Sequence, residues 1–292
     1  MHALIEEFMR RTPVVTDGAW GTQLQARGLQ LGDSAELWSL EHPERVEEVA
    51  RAYVEAGSEI VLTNTFGANR LALDKHGLGD RAVEVNRAGA EISRRAAGDE
   101  AKVFASIGPS GKMLMMDEVS AEELETAFAE QAQALADGGA DGLVVETMTD
   151  ADEAKIAIEA AAKTGLPVVG CMVFDSGPDK SRTIMGLTPE DAVTALEGAG
   201  ADVIGANCGQ GIEGFLPVCR RLCAATRRPV WIKANAGLPE MLHGEVVYRT
   251  GPEEFTTHVP ALIEAGASFV GGCCGTSPDF IRAVVADLEA GR

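Results

Sequence analysis

The sequence predicts an α/β protein built as a single (β/α)8 TIM barrel, and three observations support that fold class. Short β-branched runs alternate with longer, amphipathic, Ala- and Glu-rich runs along the whole chain, which is the pattern of βαβ units around a parallel sheet. Eight such pairs can be counted, and no polar linker separates them. A chain of 292 residues suits a barrel, whose usual length is about 250 residues. We therefore expect one domain over residues 1–292.

The eight predicted strands are β-branched or apolar runs of similar length. In chain order they are Pro13 to Ala19, Ile60 to Phe66, Val103 to Gly108, Gly142 to Met148, Pro167 to Phe174, Val203 to Cys208, Pro229 to Ala234 and Phe269 to Cys274. Several helices have recognisable starts, because a capping residue precedes Glu or Pro at Ser120, Thr188 and Ser277. Glycine punctuates the predicted helix ends at Gly57, Gly139, Gly200 and Gly266.

A doubly wound open sheet is the alternative fold. That fold normally has fewer strands, and if it binds a dinucleotide its first strand is followed by a G-x-G-x-x-G turn. The corresponding turn reads DGAWGTQL and does not match. The barrel is therefore the preferred prediction.

Composition limits the partners. There are 45 acidic and 25 basic residues, a net charge of -20, and such a surface repels nucleic acid and anionic membranes. No apolar run reaches the roughly eighteen residues of a membrane span, and the start, MHALIEEFMRR, lacks the apolar centre of a signal peptide. We expect a cytoplasmic protein in which the six cysteines are reduced.

Active sites of such barrels lie at the carboxyl ends of the strands. Three cysteines occupy these positions: Cys208 ends the sixth predicted strand, and Cys273 and Cys274 end the eighth. Three thiolates suit Zn²⁺ and leave its fourth coordination position open, which is typical of a catalytic site. Neighbouring residues of a strand point to opposite faces, so we expect Gly271, Gly272 and Gly275 to let the backbone turn both sulfurs toward one ion.

A second interpretation of these cysteines is that they only pack, because free cysteine is among the most buried residue types. The same interpretation is preferred for the other three cysteines. Cys171 lies inside a predicted strand, and Cys219 and Cys223 lie one helical turn apart with no further ligand nearby.

Other polar residues at the predicted strand ends are candidates for substrate binding: Asp17, Asn64, Ser106 and Glu146. Glu146 could instead anchor a loop. Asp150, Asp152 and Glu153 follow it and are expected to cap the fourth helix. No histidine occupies a predicted strand end, so a histidine base is disfavoured.

Five segments together resemble the homocysteine S-methyltransferase family. They are DGAWGTQL, TNTFGAN, ETMTD, GANCGQG and GGCCGTSP, and they span nearly the whole chain. SIGPSGKML and KANAGLP are most similar to the homocysteine-binding module of cobalamin-dependent methionine synthase.

The resemblance implies a zinc enzyme that forms methionine by methyl transfer to the zinc-bound thiolate of homocysteine. It implies that Cys208, Cys273 and Cys274 are the zinc ligands and that Glu146 pairs with the ammonium group of the substrate. It further implies that Gly18, Ala19 and Trp20 offer backbone amides to the substrate carboxylate, and that Asn235 is the fourth zinc ligand while substrate is absent. Asn235 could alternatively only shape the turn that it begins.

The methyl donor is open at this point. A small activated compound such as S-methylmethionine is the preferred donor, because the chain ends after the barrel and its acidic charge favours cationic donors. A separate methyl-corrinoid protein or methylcobalamin is the alternative, supported by the methionine synthase-like motifs. A barrel in which zinc is purely structural is the non-enzymatic alternative.

Overall fold

The protein is described by a computed structural model over residues 1–242 and 245–291. All eight predicted strands are present, and the fourth has the predicted bounds. The barrel strands are β1 (Val14–Val15), β2 (Ile60–Val61), β3 (Lys102–Ile107), β4 (Gly142–Met148), β5 (Val168–Met172), β6 (Val203–Gly211), β7 (Val230–Asn235) and β10 (Ala267–Gly272). Two further strands, β8 (Glu240–Leu242) and β9 (Glu245–Val247), form an antiparallel hairpin after β7 that the sequence analysis did not predict.

The strands form one parallel sheet in the order β1-β10-β7-β6-β5-β4-β3-β2. The two ends of this sheet meet, because Thr16 pairs in parallel with Ile60 and the Glu59 amide donates to the Val15 carbonyl at 2.8 Å. The sheet is thus a closed (β/α)8 barrel and not a doubly wound open sheet. All strand carboxyl ends lie on one rim, as a parallel barrel requires.

Helices surround the sheet. Those in the described ranges are α1 (Ala3–Phe8), α2 (Gly21–Gln25), α3 (Trp38–Glu41), α4 (Pro43–Glu55), α5 (Arg70–Leu73), α6 (Ala82–Ala97), α7 (Ala121–Asp137), α8 (Ala151–Ala162), α9 (Pro189–Gly198), α10 (Ile212–Ala225), α11 (Pro252–Glu264) and α12 (Pro278–Ala290). None of them is both long enough and apolar enough to span a bilayer.

The predicted helix boundaries are largely confirmed. Ser120 and Thr188 form capping boxes at the starts of α7 and α9, and Ser277 precedes α12 but makes no side-chain capping bond. The four predicted glycines follow α4, α7, α9 and α11 with positive φ angles, at Gly57, Gly139, Gly200 and Gly266. Glycine reverses the chain at these points without the steric cost of a Cβ atom.

Strand alternation produces two apolar layers. In β3 and β7, Phe104 and Trp231 point into the barrel, whereas their neighbours Val103 and Ile232 face the helices. The interior cluster includes Cys171, which packs as predicted.

The amino-terminal helix closes the lower end of the barrel. Ile5 and Phe8 of α1 belong to the interior cluster, and the Phe8 ring contacts those of Phe104 and Phe269 edge-on at 6.2 and 5.8 Å. The His2 amide also donates to Asp202, just before β6 begins, at 2.9 Å. In the described ranges, side chains therefore fill this end of the barrel.

Candidate active site

The structure brings the three rim cysteines together. Cys208 lies in β6, and Cys273 and Cys274 directly follow β10, two places around the sheet. Their Sγ atoms lie within 4.8 Å of one another, and those of Cys208 and Cys274 are 3.9 Å apart. Within residues 1–242 and 245–291, no other trio of His, Cys, Asp or Glu ligand atoms comes so close. The three thiols can share one ion.

The backbone at Cys208 is unusual for a side chain other than glycine. Its φ angle is +60°, in the left-handed region that such residues rarely adopt. The β6–β7 ladder is interrupted here, because Asn207 pairs with Lys233 and pairing resumes only between Gly211 and Asn235. This bulge releases the Cys208 thiol from strand alternation and lets it approach the cysteine pair. Bulges of this kind commonly redirect side chains beside active sites.

The glycines around the cysteine pair have two different roles. Gly275 has a φ angle of +82°, so it frees the backbone as predicted. For Gly271 and Gly272, the expectation that glycine frees the backbone from strand geometry is wrong. A Cβ atom on Gly271 would lie 2.0 Å from Thr16 Oγ1, and one on Gly272 would lie 2.3 Å from Thr276 Oγ1. Gly271 and Gly272 are thus required by the close approach of neighbouring chain segments.

Thr276 joins the cysteine turn to the first loop of the barrel. Its hydroxyl donates to the Cys273 carbonyl at 2.8 Å and accepts from the Ala19 amide at 3.1 Å. The Cys273 amide donates in turn to the Ala234 carbonyl of β7 at 2.7 Å. The backbone that carries the cysteine pair is thereby fixed from both sides.

The three thiols share their protons unequally. Hydrogen bonds with Cys273 and Cys274 lower the pKa of Cys208, whereas the hydrogen bond with Cys208 raises the pKa values of the other two thiols. One thiolate and two thiols are thus favoured before a cation binds. A bound divalent cation would displace the remaining protons, because the thiolate is the form that ligates metal.

Asn235 is the last residue of β7, next to this cluster. Its side chain is buried and forms one of the hydrogen bonds that lower the pKa of Cys208, after the larger effects of the two other thiols. Its Oδ1 atom is buried without a hydrogen-bond partner in the described part of the chain. Buried carbonyl oxygens are normally satisfied, so this oxygen is free to act as a fourth ligand.

Glu146 lies near the end of β4 and is buried. Its carboxylate accepts hydrogen bonds from the Ser106 hydroxyl and, at 3.3 Å, from Asn207 Nδ2. Asn207 also lies 3.9 Å from Cys273 Sγ and so connects the carboxylate with the thiol cluster. Burial raises the pKa of Glu146, and the charge of Lys233 and the bond from Ser106 partly oppose that effect.

The loop-anchoring carboxylate is Glu153. The sequence analysis assigned it to helix capping, but its side chain is buried and accepts from the Ser110 amide at 2.8 Å and the Ser110 hydroxyl at 2.5 Å. Asp150 is the residue that caps α8, by accepting from the Asp152 amide. Among the described residues, Glu146 accepts hydrogen bonds from Ser106 and Asn207 near neighbouring strand ends, and its carboxylate could also meet a ligand.

Asp17 is fully buried where the chain leaves β1. One carboxylate oxygen accepts from Trp20 Nε1 at 2.8 Å and from the Leu62 amide at 2.7 Å, and the other forms an ion pair with Lys233. The carboxylate therefore already has partners within the chain. It organises the first loop, in addition to any contact with substrate.

Lys233 is a buried charged residue of the barrel mouth that does not appear among the residues predicted from the sequence. Burial lowers its pKa, but the charges of Asp17 and Glu146 more than offset this, so the pKa of Lys233 is raised and the side chain stays cationic. The sequence did contain a signal that Lys233 faces the barrel interior. Lys233 is the only charged residue of β7, and it alternates with Trp231 and Asn235, which both face inward.

The first loop offers fewer free amides than predicted. The Ala19 amide donates to Thr276, whereas those of Gly18 and Trp20 have no acceptor in the described ranges. Asn64 uses its amide nitrogen on the same loop, donating to the Ala35 carbonyl at 2.6 Å. Gly18 and Trp20 are thus the amides that could meet a carboxylate.

Comparison with known proteins places this arrangement in a family. The profile of the homocysteine S-methyltransferase family matches residues 14–288. The methionine synthases of Mycobacterium tuberculosis and Mycobacterium leprae are 34% and 33% identical over 96% and 97% of the chain, which spans 25% of their length. The homocysteine methyltransferase MmuM from Escherichia coli, crystallised in a metallated form, shares the fold with a TM-score of 0.81 at 24% identity, covering 97% of this chain and 99% of that one. The resemblance found in the sequence is thus confirmed, and the chain belongs to the homocysteine S-methyltransferase family of methyltransferases.

Proposed function

We propose that this protein forms methionine by transferring a methyl group to the sulfur of homocysteine, with zinc held by Cys208, Cys273 and Cys274. One observation carries the proposal: three converging thiols lie beside a buried carboxylate, and Asn207 contacts both. A thiol site and an ammonium site are thereby separated by a single side chain. Homocysteine carries both matching groups. The six free thiols suit the reducing cytoplasm, where we propose that the enzyme works.

The donor set fits zinc. Three thiolates are soft ligands, and an amide oxygen such as that of Asn235 is a harder and weaker one, which a fourth thiolate can displace. When bound, zinc would keep the thiol of homocysteine deprotonated and hence nucleophilic at neutral pH. Cys208, Cys273 and Cys274 would hold the ion, and Asn235 would complete its coordination until substrate arrives.

The remaining residues position the substrate. Glu146 would accept the ammonium group, and the amides of Gly18 and Trp20 would donate to the carboxylate. With both ends of the amino acid fixed, the sulfur has a defined direction of attack on the incoming methyl group. Displacement at carbon depends on such alignment. The thiol proton of homocysteine would be released to solvent on binding, so the methyl transfer itself would need no proton transfer by a side chain.

The leading donor is a small sulfonium compound such as S-methylmethionine. Its positive charge is attracted by the net charge of -20. A positively charged leaving group departs as a neutral thioether, which makes the methyl group reactive without a further catalyst.

A methyl-corrinoid protein is a second candidate donor, and the surface supports it. Of the twelve exposed large apolar side chains among the described residues, ten lie in the segments that connect a strand carboxyl end to the main helix after it, and Met1 and Val83 lie elsewhere. The ten are Leu31, Phe66, Met113, Met115, Met116, Ile184, Met185, Leu238, Met241 and Val246. Exposed apolar patches commonly mark protein contacts, and two relatives are methionine synthases.

The zinc site is tested by metal analysis of cysteine variants. We expect about one zinc per chain in the wild type and loss of most of it in Cys273→Ser or Cys274→Ser, because two thiolates hold zinc far more weakly than three. Cys219→Ser is the matched control and should keep its zinc. Full metal content in both rim variants would refute the assignment.

The role of Asn235 is tested by X-ray absorption spectroscopy of the zinc protein. We expect three sulfur ligands and one light atom without substrate, and four sulfur ligands after homocysteine is added. Asn235→Ala should retain most of the zinc and change only the substrate-free spectrum. An unchanged spectrum in this variant would leave Asn235 as a turn residue.

Glu146 is tested by calorimetric titration with homocysteine. Loss of a charge-assisted hydrogen bond costs about 1.5 to 3 kcal/mol, so Glu146→Gln should weaken binding about ten- to a hundred-fold. Glu159→Gln, on the exposed side of α8, controls for the loss of one negative charge. Unchanged affinity in Glu146→Gln would contradict the proposed ammonium contact.

The donor is tested by turnover of homocysteine with separate donors. We expect methionine from S-methylmethionine with the purified zinc-loaded chain alone. Turnover that appears only with methylcobalamin or a methyl-corrinoid protein would identify the second candidate. In that case, Met115→Glu and Met241→Glu should slow the reaction with the protein donor more than with free methylcobalamin.

A further inference from the structure

Three charged groups are buried together inside the barrel mouth. Asp17, Glu146 and Lys233 have relative exposures of 0%, 7% and 2%. Two carboxylates and one ammonium leave a single net negative charge. Buried charge is costly unless it is compensated, so this surplus calls for one cation from outside the chain.

The ion pair within the cluster is specific. In the described ranges the Lys233 ammonium has one hydrogen-bond acceptor, Asp17, and the second oxygen of that carboxylate is occupied by Trp20 and the Leu62 amide. Glu146 is held by neutral donors, the Ser106 hydroxyl and the Asn207 amide. The direct pairing therefore neutralises Asp17 and leaves Glu146 as the carboxylate without a contacting cation.

We propose that Lys233 is a specificity-determining residue: paired with Asp17, it sets the charge of the buried cluster so that the barrel accepts a thiol bearing one ammonium group. The proposal deepens the proposed function and rests on it, because homocysteine is the thiol concerned. Lys233 acts by neutralising Asp17, and it needs no contact with the substrate. The residue is thus distinct from the groups that bind homocysteine directly.

The charge balance of the cluster is lost when either charge of the Asp17–Lys233 pair is removed. Without the lysine, Asp17 and Glu146 would be two buried negative charges, of which the single ammonium of the substrate could offset only one. Without the Asp17 charge, the lysine would be left to compensate Glu146, and an added substrate ammonium would be a surplus buried cation. Asp17 cannot simply be absent, because its oxygens organise Trp20 and the Leu62 amide.

The test compares two thiols that differ only in the amino group. Affinities of the zinc-loaded protein for homocysteine and for its desamino analogue, γ-mercaptobutyrate, are measured by calorimetry, and their ratio is the readout. The wild type should prefer homocysteine. In Asp17→Asn the preference should fall by about ten-fold or more, the size of one charge-assisted contact. A change in the first loop would alter the affinities for both thiols and would cancel in their ratio.

The double variant Asp17→Asn/Lys233→Met shows whether the preference depends on the charge balance of the cluster or on a direct contact with Asp17. It removes both members of the pair and restores the single negative charge on Glu146, so the preference should return to within about three-fold of the wild type. A purely structural ion pair would leave the ratio unchanged in both variants. A direct contact between Asp17 and the ammonium would leave the ratio low in the double variant. Either outcome overturns the proposal.

Controls separate this inference from the proposed function. Asp117→Asn makes the same chemical change at an exposed rim residue and should leave the ratio unaltered. Binding of γ-mercaptobutyrate and thermal melting report whether each variant is folded and loaded. No homocysteine binding by the wild type would refute the proposed function, whereas a wild type that prefers homocysteine by a ratio that Asp17→Asn leaves unchanged would refute only the role of Lys233.

Discussion

Closure of the parallel sheet between β1 and β2 is the constraint on which the site depends. The contacts that close it include the bridge between Thr16 and Ile60 and the hydrogen bond from the Glu59 amide to the Val15 carbonyl, and the Asp17 carboxylate adds a bond from the Leu62 amide. Once the sheet is closed, every strand delivers its carboxyl end to the same rim. Cys208 and the pair at Cys273 are far apart in sequence, yet closure and strand order bring their thiols within 4.8 Å. The same closure places Asp17, from the first strand end, against Lys233 of β7.

Two polar clusters of different charge character lie side by side at this rim. The thiol cluster is suited to a soft cation, while the carboxylates and lysine below form a hydrogen-bonded set of fixed charges. Asn207 lies between them and donates toward both Glu146 and Cys273. Asn207 is the last residue of β6 in regular register with β7, and the bulge that follows it gives Cys208 its left-handed backbone. The regular part of the strand thus positions Asn207, and the irregular part positions Cys208.

The sequence was sufficient for the parts of the structure that follow from periodicity and strand order. The bounds of β4 are those predicted, and the three rim cysteines meet because parallel strand ends must. The predicted strand bounds were wrong where a side-chain hydrogen bond replaces the backbone hydrogen bonds between neighbouring strands. β1 was expected to run from Pro13 to Ala19 but ends at Val15, because beyond the Thr16 bridge the Asp17 carboxylate binds the Leu62 amide in place of a regular strand partner. Lys233 was missed for a related reason: only the observed register and closure show which acidic residue neutralises it. Glu153 was assigned to a cap because sequence position alone does not distinguish a capping carboxylate from one that reaches a neighbouring loop.

The helix that closes the lower end of the barrel, α1, also affects the order in which substrates could bind and products could leave. Phe8 and Ile5 fill the interior beneath the site together with Phe104, Trp231 and Phe269, so the described residues close this end of the barrel. In the proposed reaction, homocysteine, the donor and both products would therefore share the opening at the carboxyl rim. With homocysteine bound below the donor, it would enter first and methionine would leave last. In such an ordered sequence, excess donor would trap the product instead of displacing it.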